Sequence, residues 1–235
     1  MIQLEYVPQH VALIPDGNRR WSRSHKFKLY SSYSLGIEKF INFSIWAKSF
    51  GVKTLTVWAL STENISNRSR GELSILYRLY TRMANDKKIF DTLKRNGARI
   101  IVIGNLSKVP KPVRTALYGL ERRTKTFKEL SINILIGYGG RDDIIHAVKR
   151  IISDRRMKIR NINENLIRAY LRTAALPDAD LIIRTSGETR LSGFLPWQSG
   201  YSELYFANKY WPDFGKKDLE RALKYFSTRQ RRFGK

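Results

Sequence analysis

The chain has 235 residues, 42% of them hydrophobic, and carries 44 Lys and Arg against 20 Asp and Glu, a net charge of +24. That length and apolar content suffice for a substantial core and exclude intrinsic disorder, while the charge calls for an anionic partner: phosphates, nucleic acid or an acidic membrane surface. The absence of Cys excludes a disulfide framework, a thiolate metal site and a cysteine nucleophile, and with only His10, His25 and His146 for imidazole ligands a metal would be a hard cation on oxygens, such as Mg²⁺.

Taken in chain order, Val11 to Ile14 is a short apolar run ending in Asp-Gly-Asn, which reads as a strand and then a turn. Ile37, Phe40, Ile41 and Ile45 recur on one helical face, and Thr54 to Leu60 reads as a buried strand. Ser69-Arg70-Gly71-Glu72 has the spacing of a capping box, so a helix starts there. Leu73, Leu76, Tyr77, Tyr80, Met83 and Ala84 continue it, and the reading carries the helix on to Leu93. Strands are expected at Arg99–Ile103, Ile132–Ile136, Leu181–Ile183 and Leu204–Phe206. Helices are expected from Pro110, over Ile144–Ile152 and over Leu219–Phe226.

Six strands separated by helices predict an α/β fold with a largely parallel sheet. No repeat, low-complexity tract or linker divides residues 1–235, so one domain is expected. No apolar run reaches the roughly 18 residues of a membrane span. The N-terminus, with Glu5 and a short apolar stretch, does not resemble a signal peptide. The sequence therefore reads as a soluble cytoplasmic protein, with room for peripheral contact with a membrane.

Parallel sheets bind ligands in the loops after their strands. The first such loop is Asp16-Gly17-Asn18-Arg19-Arg20-Trp21. Free N–H groups at a helix start receive phosphate, the glycine lets the backbone approach, and Asp16 is placed to hold Mg²⁺ against it. An ordinary Asp-Gly turn before a solvated basic helix gives the same residues. The second loop, Ser61-Thr62-Glu63-Asn64 with Arg68, suits a polar ligand, or simple helix capping. The third, Arg184 to Ser192 with Arg190, places two arginines where they can clamp a diphosphate bidentately, and Glu203 follows; its alternative is a surface arginine paired with Glu188. The fourth, Gly137-Tyr138-Gly139-Gly140-Arg141, needs no more than a tight turn.

Together these stretches resemble the signatures of the cis-prenyltransferases, the undecaprenyl and dehydrodolichyl diphosphate synthases. The resemblance runs in order from His10–Trp21 through Ser61–Asn64 and Gly137–Arg141 to Asp180–Glu188, Arg190, Ser192, Trp197-Gln198 and Tyr201–Phe206. It implies a homodimeric α/β fold with a hydrophobic prenyl tunnel beside the sheet. It implies condensation of isopentenyl diphosphate with an allylic prenyl diphosphate, Mg²⁺-dependent, giving a polyprenyl diphosphate that serves as precursor of a lipid glycosyl carrier. By the same resemblance Asp16 and Glu203 are the metal carboxylates, and Gly17, Asn18, Arg19 and Arg20, with Trp21 beside them, belong to the allylic diphosphate site. Ser61 and Asn64 stand near the reacting carbons, with Arg68 in the same loop. Arg184, Arg190 and Ser192 bind isopentenyl diphosphate, and Arg232 and Gly234 form a tail motif that reaches into the partner's site. The proton lost from isopentenyl diphosphate goes to Asn18, Asp16 or a substrate phosphate.

The chain departs from the family pattern at four residues and in one length: the segment to Glu72 is one residue longer than usual, which shifts the match of Arg68. Leu29 and Tyr33 stand where an arginine and a histidine are usual, Ile65 replaces an aromatic, and Gly137 replaces an asparagine. Lys26 or Lys28 is the expected substitute for the lost charge. Two other readings compete: a non-catalytic partner subunit of the same fold, and a basic nucleic-acid-binding protein. The first is opposed by Asp16, which such subunits typically lose. The second is opposed by the spread of charge over separate runs, Arg78–Lys88, Arg114–Lys128 and Lys149–Arg160, without a recognised nucleic-acid module.

Overall fold

Six strands rich in Ile, Leu and Val build the centre of the molecule. The computed structural model describes residues 5–154 and 162–229. The strands are β1 (His10–Ile14), β2 (Thr54–Ser61), β3 (Ala98–Ile103), β4 (Leu130–Tyr138), β5 (Leu181–Arg184) and β6 (Glu203–Phe206). They form one sheet in the order β3-β4-β2-β1-β5-β6, every neighbouring pair parallel. β1 and β5 are buried along their whole length, as a sheet covered on both faces requires, while the edge strand β6 is half-buried.

The helices are α1 (Asn18–Ser24), α2 (Leu29–Ser49), α3 (Thr62–Asn67), α4 (Arg70–Asn85), α5 (Lys87–Arg95), α6 (Lys111–Thr124), α7 (Gly140–Ser153), α8 (Glu164–Tyr170) and α9 (Lys216–Ser227). Strand alternation divides the apolar side chains between two cores. Val11, Leu13, Val57, Ile134 and Ile183 face one side, with Phe40 and Phe43 of α2, Leu76 and Met83 of α4, and Leu117 of α6. Ala12, Ile14, Leu135 and Ile182 face the other, against Phe194 and Leu195. Phe43 is fully buried, its ring 5.7 Å from that of Trp211 and 6.2 Å from that of Phe214. Truncating such a side chain costs about 3–5 kcal/mol.

One expected element divides. The helix read from Ser69 to Leu93 ends at Asn85, and a second begins at Lys87. Asp86 has extended backbone and its carboxylate accepts the Ile89 N–H at 3.1 Å, a new N-cap. The carbonyl of Ala84, freed at the end of α4, accepts from the Arg123 guanidinium. At the other end of α4 the Ser69 hydroxyl caps the Glu72 N–H at 3.2 Å, as the spacing predicts.

The topology positions the site. β1 is flanked by β2, which follows it in sequence, and by β5, reached only after β3 and β4 have been laid on the opposite side. The order of the strands reverses there, and a ligand crevice forms beyond the carboxyl ends of the strands at such a point.

Candidate active site

Asp16 lies two residues beyond β1 and Arg184 ends β5; Ile14 and Arg184 are register partners. The Arg184 guanidinium donates from Nη2 to Asp16 Oδ2 at 2.8 Å and from Nη1 to Ser192 Oγ at 3.0 Å. The Arg184 side chain is 6% exposed and its Nε has no hydrogen-bond partner. The other Asp16 oxygen accepts the Gly17 N–H at 2.6 Å. Gly17 has φ +102°, and a Cβ there would lie 2.7 Å from the Tyr210 ring. Only glycine makes this turn without strain. It also supplies no side-chain cap to the first-turn N–H groups of α1.

Arg20 extends from α1 to the β5 loop. It donates to Glu188 Oε1 at 2.8 Å and to Ser186 Oγ at 2.6 Å, and its guanidinium lies over the Tyr210 ring. Glu188 also accepts from Arg190, and that bond, with Arg20 nearby, holds its carboxyl below the usual range. Ser186 and Ser192, each followed by a glycine, have positive φ, so backbone strain is concentrated where the arginines converge.

The opposite wall comes from β2, α2 and α4. The Ser61 hydroxyl accepts the Asn64 N–H at 3.0 Å, capping α3, and both residues also line the crevice. Capping and site placement therefore hold together. Tyr33 of α2 is buried; its hydroxyl donates to Glu72 Oε1 at 2.5 Å and accepts from Arg68 Nη1 at 2.7 Å. Burial, above all, pushes the Tyr33 phenol well up. The Arg68 and Glu72 side chains are 3.0 Å apart, with Arg19 at 3.9 Å from Glu72.

These walls enclose a cavity of about 690 Å³. Its mouth carries six arginines (19, 20, 23, 68, 184 and 190) against the carboxylates of Asp16, Glu63 and Glu188. Its depth, between the sheet and the two helices α2 and α4, is lined by Ile37, Phe40, Val57, Leu76, Tyr80, Met83 and Ile134. A strongly cationic mouth above an apolar channel fits an amphiphile with an anionic head.

Asp16, Gly17, Asn18, Arg19, Arg20, Ser61, Asn64, Arg68, Arg184, Arg190 and Ser192 all line this one cavity. Trp21 does not. It points away, its indole N–H donating to Asp213 Oδ1 at 2.7 Å and its ring stacked on His25 and Phe27. Its expected place in a substrate site gives way to a role in anchoring α1. Glu203 is also displaced from its expected place. It starts β6 level with Leu181, whereas Arg184 is level with Phe206. Ile14, two residues before Asp16, and Glu203 are thus set apart by roughly 10 Å along the strands and about 10 Å across them. Glu203 pairs instead with Arg229 at 3.2 Å, and within one chain it completes no metal site with Asp16.

Lys26 and Lys28 are exposed and do not line the cavity; Arg23, one turn beyond Arg19 and Arg20, does. Gly139 and Gly140 serve packing, a Cβ on Gly140 falling 2.1 Å from Pro196. Arg232 and Gly234 lie outside the described residues. Sequence reasoning missed Glu72, taken only as a cap partner, and Arg23, whose helical spacing from Arg19 and Arg20 was a usable signal.

The described residues contain no cluster of three or more acidic or histidine side chains able to hold a metal. Asp16 by itself fits Mg²⁺, which is commonly held by one or two carboxylates together with substrate phosphates. No helix among the described residues is long and apolar enough to cross a membrane.

Residues 14–234 match the prenyltransferase family described as undecaprenyl diphosphate synthase. A tritrans,polycis-undecaprenyl-diphosphate synthase (geranylgeranyl-diphosphate specific) of Picrophilus torridus is 42% identical, with 97% of this chain and 90% of the relative aligned. An isoprenyl transferase of Thermus thermophilus is 41% identical over 97% of this chain and 89% of its own. Among solved structures, lavandulyl diphosphate synthase from Lavandula x intermedia, in complex with dimethylallyl diphosphate, superposes with a TM-score of 0.92. It is 32% identical, covering 97% of this chain and 99% of that one.

Proposed function

The chain belongs to the undecaprenyl diphosphate synthase family of prenyltransferases and is an enzyme of cis-prenyl chain elongation; from that premise we propose how its own residues divide the work. The observation that carries the proposal is the cavity itself, arginine-rich at the mouth and apolar in depth. The allylic diphosphate lies at the start of α1, with its head toward Gly17, Arg19 and Arg68 and its prenyl chain between α2 and α4. Isopentenyl diphosphate lies beside it on Arg184, Arg190 and Ser192.

Elongation breaks the bond from allylic C1 to diphosphate oxygen, forms a bond from C1 to isopentenyl C4, and releases a proton from isopentenyl C2. The leaving diphosphate carries the developing negative charge, and fixed guanidinium groups stabilise it without reorganisation. Bound Mg²⁺ would add Lewis-acid neutralisation of that leaving group, held by Asp16 and the substrate phosphates. Arg184 and the Gly17 N–H engage the two oxygens of Asp16, and the carboxylate is assigned to Mg²⁺ and the diphosphate rather than to proton transfer. Asn18 donates its amide N–H to the Pro15 carbonyl at 3.0 Å, and a neutral amide is a weak base. A diphosphate oxygen is therefore assigned as acceptor.

Geranylgeranyl diphosphate is proposed as primer, on the specificity in the name of the Picrophilus relative. A homodimer is supported by the exposed stripe of Ile145, Val148 and Ile152 on one face of α7. Peripheral contact with an anionic membrane is supported by the +24 charge. The test is incorporation of labelled isopentenyl diphosphate onto primers of five, ten, fifteen and twenty carbons, with Mg²⁺ or chelator. Mg²⁺-dependent elongation, most efficient from the twenty-carbon primer, is expected. No incorporation by folded protein with any primer would overturn the assignment.

A further inference from the structure

Three helices converge on one hydroxyl at the lip of the cavity. Tyr33 comes from α2, Arg68 follows α3, and Glu72 stands in the first turn of α4. Arg68 Nη1 is occupied by the Tyr33 hydroxyl at 2.7 Å and by Glu72 at 3.0 Å, and the guanidinium lies 5.7 Å over the Tyr33 ring. Its Nε is buried without a hydrogen-bond partner. Among the described residues the fork formed by Nε and Nη2, which bonds a phosphate bidentately, has no hydrogen-bond partner, while Nη1 is pinned.

We propose that Tyr33 is a positioning residue of the allylic half of the site: its hydroxyl, fixed by Glu72, locks Arg68 with its free edge turned to the allylic diphosphate. The inference rests on the assignment of the allylic substrate to the α1 side of the cavity. Arg68 belongs to that side because its partner Glu72 also faces Arg19, whereas Arg184, Arg190 and Ser192 form a separate cluster on the β5 loop. A free arginine samples many rotamers, and binding must otherwise arrest them. The Tyr33 hydroxyl does this beforehand, as donor to one charged group and acceptor from another.

The test separates the two substrates. Tyr33→Phe keeps the ring and its packing and removes only the hydroxyl. The Michaelis constant for the allylic diphosphate is expected to rise about tenfold, with that for isopentenyl diphosphate and kcat within about twofold. Equilibrium binding of the allylic diphosphate alone, by calorimetry on the parent and Tyr33→Phe, reads the inference without turnover. Elongation by the parent tests the assigned function; the ratio of allylic to isopentenyl effects tests Tyr33. Equal changes in both constants, or a lowered Tm with unchanged allylic binding, would overturn the inference.

Discussion

Arg184 and Asp16 join the carboxyl ends of β5 and β1 through a contact of 2.8 Å, at the point where the strand order reverses. The pair fixes the Asp16 carboxylate with one face toward the cavity, and one buried guanidinium serves both strand ends. Asp16→Asn keeps the shape and removes the charge. Turnover at saturating Mg²⁺ is expected to fall about 10²–10³-fold, as for loss of one preorganised electrostatic partner. Circular dichroism should be unchanged. Near-parental turnover in a folded variant would remove Asp16 from the mechanism.

Product length should be set where the cavity closes. Phe40 and Met83, both 8% exposed, project from α2 and α4 into its apolar depth. A prenyl chain growing into a close-packed wall meets the cost of overpacking, typically 1–3 kcal/mol per added bulk. Phe40→Ala and Met83→Ala are expected to shift the product ladder upward by at least one five-carbon unit. Ala59→Leu, on the β2 wall, should shift it downward. Thin-layer or mass analysis of the dephosphorylated products reads the change, and an unmoved ladder in all three would locate the limit elsewhere.

The parallel sheet was legible because its strands are short apolar runs bounded by turn residues, and the structure gives all six at the expected places. The Asp16 and Arg184 loops were legible as site loops because each follows a strand. Other features needed tertiary information. Trp21 adjoins the basic loop in sequence, but one helical step of about 100° turns it from Arg20 toward Asp213. Glu203 is close to Ser192 in sequence, yet the chain runs back to the amino end of the sheet before β6 begins. Glu72 carries the signature of a cap, and nothing local says that its carboxylate meets Tyr33 from 39 residues away. The division of the long helix was visible in Asp86, an N-cap residue type within an apolar periodicity that ran through it.

Trp21 offers a test of the corrected placement. Trp21→Phe retains the stacking on Phe27 and His25 but loses the hydrogen bond to Asp213, leaving that carboxylate without its indole donor. A stability loss of about 1–3 kcal/mol is expected in urea unfolding. Both Michaelis constants should stay within twofold, measured below the unfolding transition. A selective rise in the constant for the allylic diphosphate would return Trp21 to the binding site.

His10 predicts the acid side of the stability profile. Its Nδ1 faces the carbonyls of Pro177 and Asp178 at 3.0 and 3.2 Å, which can only accept, so Nδ1 carries the proton. Its Nε2 then accepts from the Thr56 hydroxyl at 2.8 Å. Burial in this neutral tautomer lowers the His10 pKa below the ordinary 6.5, despite the carbonyls and Asp180, which act the other way. Below that value the unfolded chain binds a proton that the folded chain refuses, so stability is full above pH 6.5 and falls as the pH drops through it. Thermal unfolding between pH 7.5 and 5.5 should therefore show a falling Tm before most carboxylates titrate. His146 is also lowered, by burial and then by Arg172 and Arg150, but is only half-buried, so His146→Asn should remove the smaller part of the slope. His10→Gln lowers Tm at every pH and should flatten the slope; a parental slope retained in that variant would assign the acid sensitivity to another group.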